Sequence, residues 1–302
     1  MKRRKFNFLF VICYFLFIIC FSACSTAPKK PTEVFSIRSI ATSQLNLANE
    51  LANRGHYDDA LLALVEARRL AVSTDDPPLR VKTSISRGNI LFSLGRHDEA
   101  FTEWERAAVE GDYTDQPAFT ALARIYIIRA RLILLSNESE DGKNPPAAEE
   151  YRAQLSQQMS AVRSDSLSIA AGYVTLGILE KLAGRWGEAE SAVMRSLNIH
   201  EKDRYLEDAA YDWFLIASIR SMSGNYTTAL TALRTGIRFD RRAENGFGLA
   251  SSWRAIGDVL MKAERQGFRA AYRRAIEIYR ALSLDDKAEE LEAILAANPR
   301  QQ

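Results

Sequence analysis

The chain repeats itself, and the form of the repetition leaves few folds open. Residues 47–60, 87–100 and 176–189 can be laid over one another. Each holds an apolar run, a turn at Gly55, Gly95 or Gly184, and a second run opening on an acidic residue and then Ala60, Ala100 or Ala189. A fourth copy runs from Trp213 through Gly224 to Ala229, and a fifth starts at Trp253. A small residue recurs in each first run, at Ala48, Gly88, Ala123, Gly177, Ala217 and Gly257. Two helices cross closely only where no large side chain intervenes, so this ladder and the facing alanines predict helical hairpins. Hairpins that cannot bury an apolar face alone must stack, and the sequence therefore predicts an all-α solenoid.

These segments resemble the tetratricopeptide repeat (TPR), with its aromatic residue, Leu-Gly, and Gly-x-Tyr-x-x-Ala followed by a further Ala, here Ala67 and Ala107. The intervals 48 to 88, 177 to 217 and 217 to 257 are each 40 residues, longer than the usual 34 or so. That length resembles the variant repeats of kinesin light chain and of peptide-sensing bacterial regulators. The resemblance implies a right-handed solenoid of about six repeats over residues 39–300, ended by a capping helix from Asp285. Residues 119–159 read as a degraded repeat, with helices at 118–135 and 147–162 around a turn-rich insertion at 136–146. The fifth clear copy lacks Gly at the expected turn and runs through Lys262–Gly267 into Phe268.

The N-terminus has a different character. A basic start (Lys2, Arg3, Arg4, Lys5), an apolar core from Phe8 to Phe21 and the small residues Ser22 and Ala23 are the parts of an export signal. All three cysteines fall here, and Phe21-Ser22-Ala23-Cys24 resembles the lipobox of bacterial lipoproteins. That resemblance implies a signal peptide over residues 1–23, lipid on Cys24, a flexible tether to residue 38, and delivery by Ser25 to the outer membrane facing the periplasm. The alternatives are an ordinary secretory signal or an uncut anchor. The apolar run is short for a span of about 20 residues and ends in Ser-Thr-Ala-Pro rather than a basic flank.

Cys13 and Cys20 leave with the signal and Cys24 is capped by lipid, so no thiol remains for a disulfide or metal site. Residues 1–23 carry four basic and no acidic side chains, which leaves 36 basic against 38 acidic residues in the remainder. That balance gives no footprint for nucleic acid. His-Glu-x-x-His, Gly-x-Ser-x-Gly, Walker and Ser-x-x-Lys motifs are all missing. No enzyme, cofactor or metal is expected. His56 and His97 read as turn residues, and Trp104, Trp186, Trp213 and Trp253 as core.

Binding is what a helical solenoid offers, since its stacked first helices line a concave surface. The resemblance places Asn49, Asn89, Lys82, Phe92, Arg124, Tyr211, Phe214 and Arg254 on that surface, with Lys181 and Asp258 beside them. An amide donates and accepts, so an asparagine ladder can pair with the backbone of an extended peptide. The expected partners are a protein or peptide and, through the acylated N-terminus, a lipid bilayer. The expected role is a membrane-anchored adaptor; a transporter accessory that holds a solute is the alternative.

Overall fold

The computed structural model describes residues 36–139, 142–162 and 165–298. Residues 1–35, with the expected signal peptide and Cys24, lie outside the described residues. Thirteen helices and no strand are present among those described. In chain order they are α1 (Ser36–Asn53), α2 (Tyr57–Ser73), α3 (Pro77–Ser93), α4 (His97–Tyr113), α5 (Pro117–Glu138), α6 (Pro145–Ala161) and α7 (Ser166–Leu182). There follow α8 (Trp186–Asp203), α9 (Leu206–Met222), α10 (Tyr226–Arg242), α11 (Gly246–Lys262), α12 (Phe268–Ala281) and α13 (Asp285–Ala297). They make six antiparallel hairpins and a cap, as the repeat predicts, with the degraded copy supplying α5 and α6.

Local chemistry sets the helix boundaries. Asp76, Asn144, Asp165 and Asn245 each accept a hydrogen bond from a backbone N–H three residues on, which caps α3, α6, α7 and α11. Within the first hairpin the His56 N–H reaches the Leu51 carbonyl and the Gly55 N–H reaches Ala52, the pattern that ends a helix on a left-handed residue. Gly55 takes that conformation at φ 82° without a Cβ penalty. In the sixth hairpin Glu264 occupies the corresponding place at φ 51°, and Gly267 opens α12 at φ 101°. The turn is therefore kept where its glycine is missing.

The small-residue ladder marks the hairpin crossings. A Cβ on Gly88 would meet Trp104 Nε1 at 2.5 Å, one on Gly177 would meet Val193 Cγ2 at 2.4 Å, and one on Gly257 would meet Tyr272 Cε1 at 2.3 Å. Ala60, Ala100, Ala189 and Ala229 on the second helices have no exposed surface. Ala123 departs from the expectation. It belongs to the apolar cluster of Val81, Trp104 and Ala107 in the preceding hairpin, whereas Ile128 belongs to the cluster that holds Ala148 and Leu155 of its own. By the 40-residue interval from Ala48 and Gly88, Ile128 takes the equivalent place in α5, five residues after Ala123.

From Ile37 on, the chain forms one compact unit. Its first and last repeats meet. Leu282 lies against Gly55, where an added Cβ would find the Leu282 Cβ at 3.1 Å, and against Gly246, where one would find Leu282 Cδ2 at 3.0 Å. The Tyr57 and Phe247 rings sit edge to face at 6.4 Å, and Arg54 pairs with Glu244 at 3.2 Å. Leu284 joins the apolar cluster of the first hairpin. Among the described residues no helix is long and apolar enough to cross a membrane.

Candidate functional site

The meeting of first and last repeats encloses space along the inner wall. A cavity of about 470 Å³ is lined by the first helices of all six hairpins: Asn49 and Asn53 of α1, Asn89 of α3, Arg129 of α5, Val174 of α7, Tyr211 of α9 and Phe247 of α11. Tyr57 and His200, on second helices, complete the wall. A slot of about 290 Å³ continues from it between α9 and α11, past Tyr211, Phe214 and Ser251. A further cavity of about 610 Å³ lies between Phe92, His97 and Ile133 on one side and Leu284 to Lys287 at the start of the cap on the other.

Two of the expected groove residues, Asn49 and Asn89, come together on the main cavity, and Tyr211 joins them. Tyr211 and Phe214 stack at 6.4 Å with planes 12° apart and form an aromatic side of the slot. Phe92 lies on the lower cavity, packed on His97 at 4.8 Å and Trp104 at 5.8 Å. Four others lie elsewhere. Lys82 is exposed and lines none of these cavities. Arg254 makes a forked pair with Glu290 of the cap at 2.9 and 2.5 Å. Lys181 donates to Ser218 at 3.2 Å, and Asp258 accepts from the Tyr272 hydroxyl at 2.6 Å.

Arg124 is a correction. It faces α4 and touches Asp112 at 3.4 Å, away from the cavity, because the register of α5 is shifted by five residues. Arg129 holds the inner position instead. Its guanidinium donates to the Ala171 carbonyl at 2.8 Å and to Thr175 Oγ1 at 3.1 Å, and lies 4.8 Å over the Tyr126 ring. The signal was in the numbering: 49, 89 and 129 keep the 40-residue interval straight through the degraded repeat.

Two buried polar pairs also escaped the sequence reading. His200 Nδ1 lies 2.7 Å from Asp212 Oδ2, and both side chains are buried. Burial pushes the Asp212 carboxyl up, and the imidazole opposes that. Asp240 accepts from Asn245 Nδ2 at 2.8 Å. Burial pushes its carboxyl up to about 7 against the Asn245 bond, and the charge of Glu207 adds to the rise. His200 and Asp240 occupy the repeat position that holds Ala71 and Gly111 in the first two hairpins. A polar residue where earlier copies are small was the available cue.

Acid chemistry gathers on the α9 side of the cavity. Glu207 and Asp208 line it, and burial raises the Glu207 carboxyl, opposed by a hydrogen bond from Asn53 and reinforced by Asp208. Opposed to them in charge, α5 supplies the Arg129 guanidinium. The wall thus offers amides, carboxylates, a guanidinium and aromatic rings, which is an inventory for holding polar chain rather than for bond breaking. Among the described residues no three His, Cys, Asp or Glu side chains are grouped to hold a metal ion.

Comparison with known proteins agrees with this architecture. Residues 214–298 match the family model described as tetratrico peptide repeat. A solved structure, the Rap protein complexed with competence and sporulation factor, is similar in fold, with a TM-score of 0.55 at 14% identity over 85% of this chain and 74% of that one. No curated protein matches the chain in sequence.

Proposed function

For a tetratricopeptide-repeat protein with this inner wall, we propose an adaptor that is lipid-anchored through Cys24 and holds an extended segment of a protein partner in its central cavity. The observation that carries the reading is the convergence of Asn49, Asn89 and Arg129 on one cavity at equivalent repeat positions. Amides placed at a fixed interval pair with a peptide backbone whatever its sequence. The lipobox-like Phe21–Cys24 and the following Ser25 support anchoring on an outer membrane, facing the periplasm. Two or three acyl chains, each adding about 0.8 kcal/mol per buried methylene, anchor firmly.

A second reading, a transporter accessory that holds a solute, is favoured by one observation. The cavity of about 470 Å³ falls in the range of small-molecule sites. Its polar wall weighs against that reading, since such sites are mostly apolar with few polar groups.

Purification of the full-length chain from detergent-solubilised membranes separates the two. The adaptor reading expects a co-purified protein that is lost, about tenfold or more in affinity, when Asn49 and Asn89 are both changed to Ala, because each neutral hydrogen bond contributes roughly 0.5 to 1.5 kcal/mol. Native far-UV circular dichroism of the variant excludes misfolding. A permease or a small metabolite in the eluate, with no other protein bound, overturns the adaptor.

A further inference from the structure

The outward faces of the second helices are segregated by charge. The second, sixth, ninth, thirteenth and sixteenth residues of α4 and of α10 form one exposed stripe on each helix. In α4 the stripe reads Asp98, Thr102, Glu105, Val109, Asp112; in α10 it reads Thr227, Thr231, Arg234, Arg238, Arg241. Equivalent positions of the repeat therefore carry opposite charge in the second and the fifth hairpin. The neighbouring α12 adds exposed Arg273 and Arg274.

Most of these charges have no opposite charge beside them inside the molecule, although Arg238 donates to Thr235 Oγ1 at 3.1 Å. Among the described residues no ion pair engages Arg234, Arg238, Arg241, Arg273, Asp98 or Glu105. Asp112 is engaged: it accepts from the Thr120 hydroxyl at 2.8 Å and touches Arg124 at 3.4 Å. The acidic face also exposes apolar surface that nothing covers: Val109 at 65% and Tyr113 at 89%. An exposed tyrosine amid carboxylates is a fitting seat for arginine, which stacks on aromatic rings and grips carboxylates with a planar fork.

We propose that the α4 face of one molecule docks on the α10 face of a second copy, head to tail. Spacing argues for a second copy rather than another anion. Asp98 and Glu105 are seven residues apart on their helix, as are Arg234 and Arg241 on theirs, about 10 Å along either axis. Laid side by side in either direction, the two helices align both carboxylates with both guanidinium groups. Both stripes face outward from different repeats, so they pair only between molecules. A lipid surface or a disordered polyanion offers no such fixed interval. Because the two faces differ, the contact is heterologous and propagates until a ring closes. Each exposed pair contributes at most a few-fold to affinity, so the contact is weak and sensitive to salt, and molecules concentrated on a surface favour it.

The test is sedimentation velocity of the full-length chain in non-ionic detergent, over a concentration series at low and high ionic strength. The parent should self-associate at low salt and dissociate at high salt. Arg234→Glu with Arg241→Glu should weaken association at least about tenfold, as should Asp98→Arg with Glu105→Arg. Mixing the two variants should restore it, because each then carries what the other lacks. All four positions are exposed, and far-UV circular dichroism checks that both variants stay helical. A parent that stays monomeric at low salt, or a mixture that stays dissociated, overturns the proposal. Loss of binding to phosphatidylglycerol vesicles by the Arg variant, with no self-association in the parent, assigns the basic face to lipid instead.

Discussion

Gly257→Ala is a one-methyl perturbation with a large expected effect. The new Cβ would sit 2.3 Å from Tyr272 Cε1, 2.4 Å from Cδ1 and 3.0 Å from Cζ. Carbon atoms rest at about 3.5 to 4.0 Å, so the ring must retreat by roughly 1 Å. It has nowhere to go. Tyr272 has no exposed surface, packs edge to face on Phe268 at 5.9 Å, and is held at its far end by the 2.6 Å hydrogen bond to Asp258. Overpacking of this kind costs about 1 to 3 kcal/mol, and weakening the hydrogen bond about 1 kcal/mol more. Replacing a mid-helix glycine returns roughly 0.5 to 1 kcal/mol. The net expectation is a loss of about 2 kcal/mol, or about 4 to 8 °C in melting temperature for a domain of this size. Gly187→Ala is the control, since no atom lies within 4 Å of its would-be Cβ. Urea unfolding followed by circular dichroism reads both. If Gly257→Ala is as stable as the parent, the close crossing of α11 and α12 is not what holds the sixth hairpin.

Other outcomes follow from the same contacts. The Asp240 carboxyl, raised to about 7 by burial, binds a proton in the folded chain that the unfolded chain has lost, so its contribution to stability falls as pH rises from about 4 to 7. Asp240→Asn, which imitates the protonated form, should match the parent near pH 4.5 and exceed it near pH 7.5 in urea midpoint; the reverse order refutes the assignment. Glu264→Gly should stabilise by about 0.5 to 1 kcal/mol, measured the same way, because φ 51° costs a side chain more than it costs glycine. Arg129→Met should destabilise the α5–α7 contact by about 1 to 3 kcal/mol through its lost bonds to Ala171 and Thr175, while Arg124→Met stays within about 0.5 kcal/mol of the parent.

The fold was legible wherever a copy kept its small residue. Gly88, Gly177 and Gly257 announced their crossings because a Cβ there would crowd Trp104, Val193 and Tyr272. In α5 the equivalent place falls on Ile128, and Ala123, small within the cluster of the preceding hairpin, put the register five residues away. The residue after Ala123 is Arg124, whereas the residue after Ile128, on the inner wall, is Arg129. The site was legible at Asn49 and Asn89, where position in the helix decides which face a side chain takes. It was not legible at His200, Asp212 and Asp240. Their role depends on contact between the second helix of one repeat and the first of the next, at a separation that no single repeat contains. Nor does local pattern disclose that Leu282 reaches Gly55, so that the first and last repeats meet.

The central claim is that a partner chain enters through the inner wall. Photocrosslinking in cells tests it most directly, with a photoreactive residue replacing Ser86 or Ser93, which line the main cavity, and with Asn198, exposed on the outer face of α8, as the comparison position. The account predicts a discrete adduct with another protein from Ser86 and Ser93 and none from Asn198. An adduct from Asn198 with silence at both inner positions contradicts it.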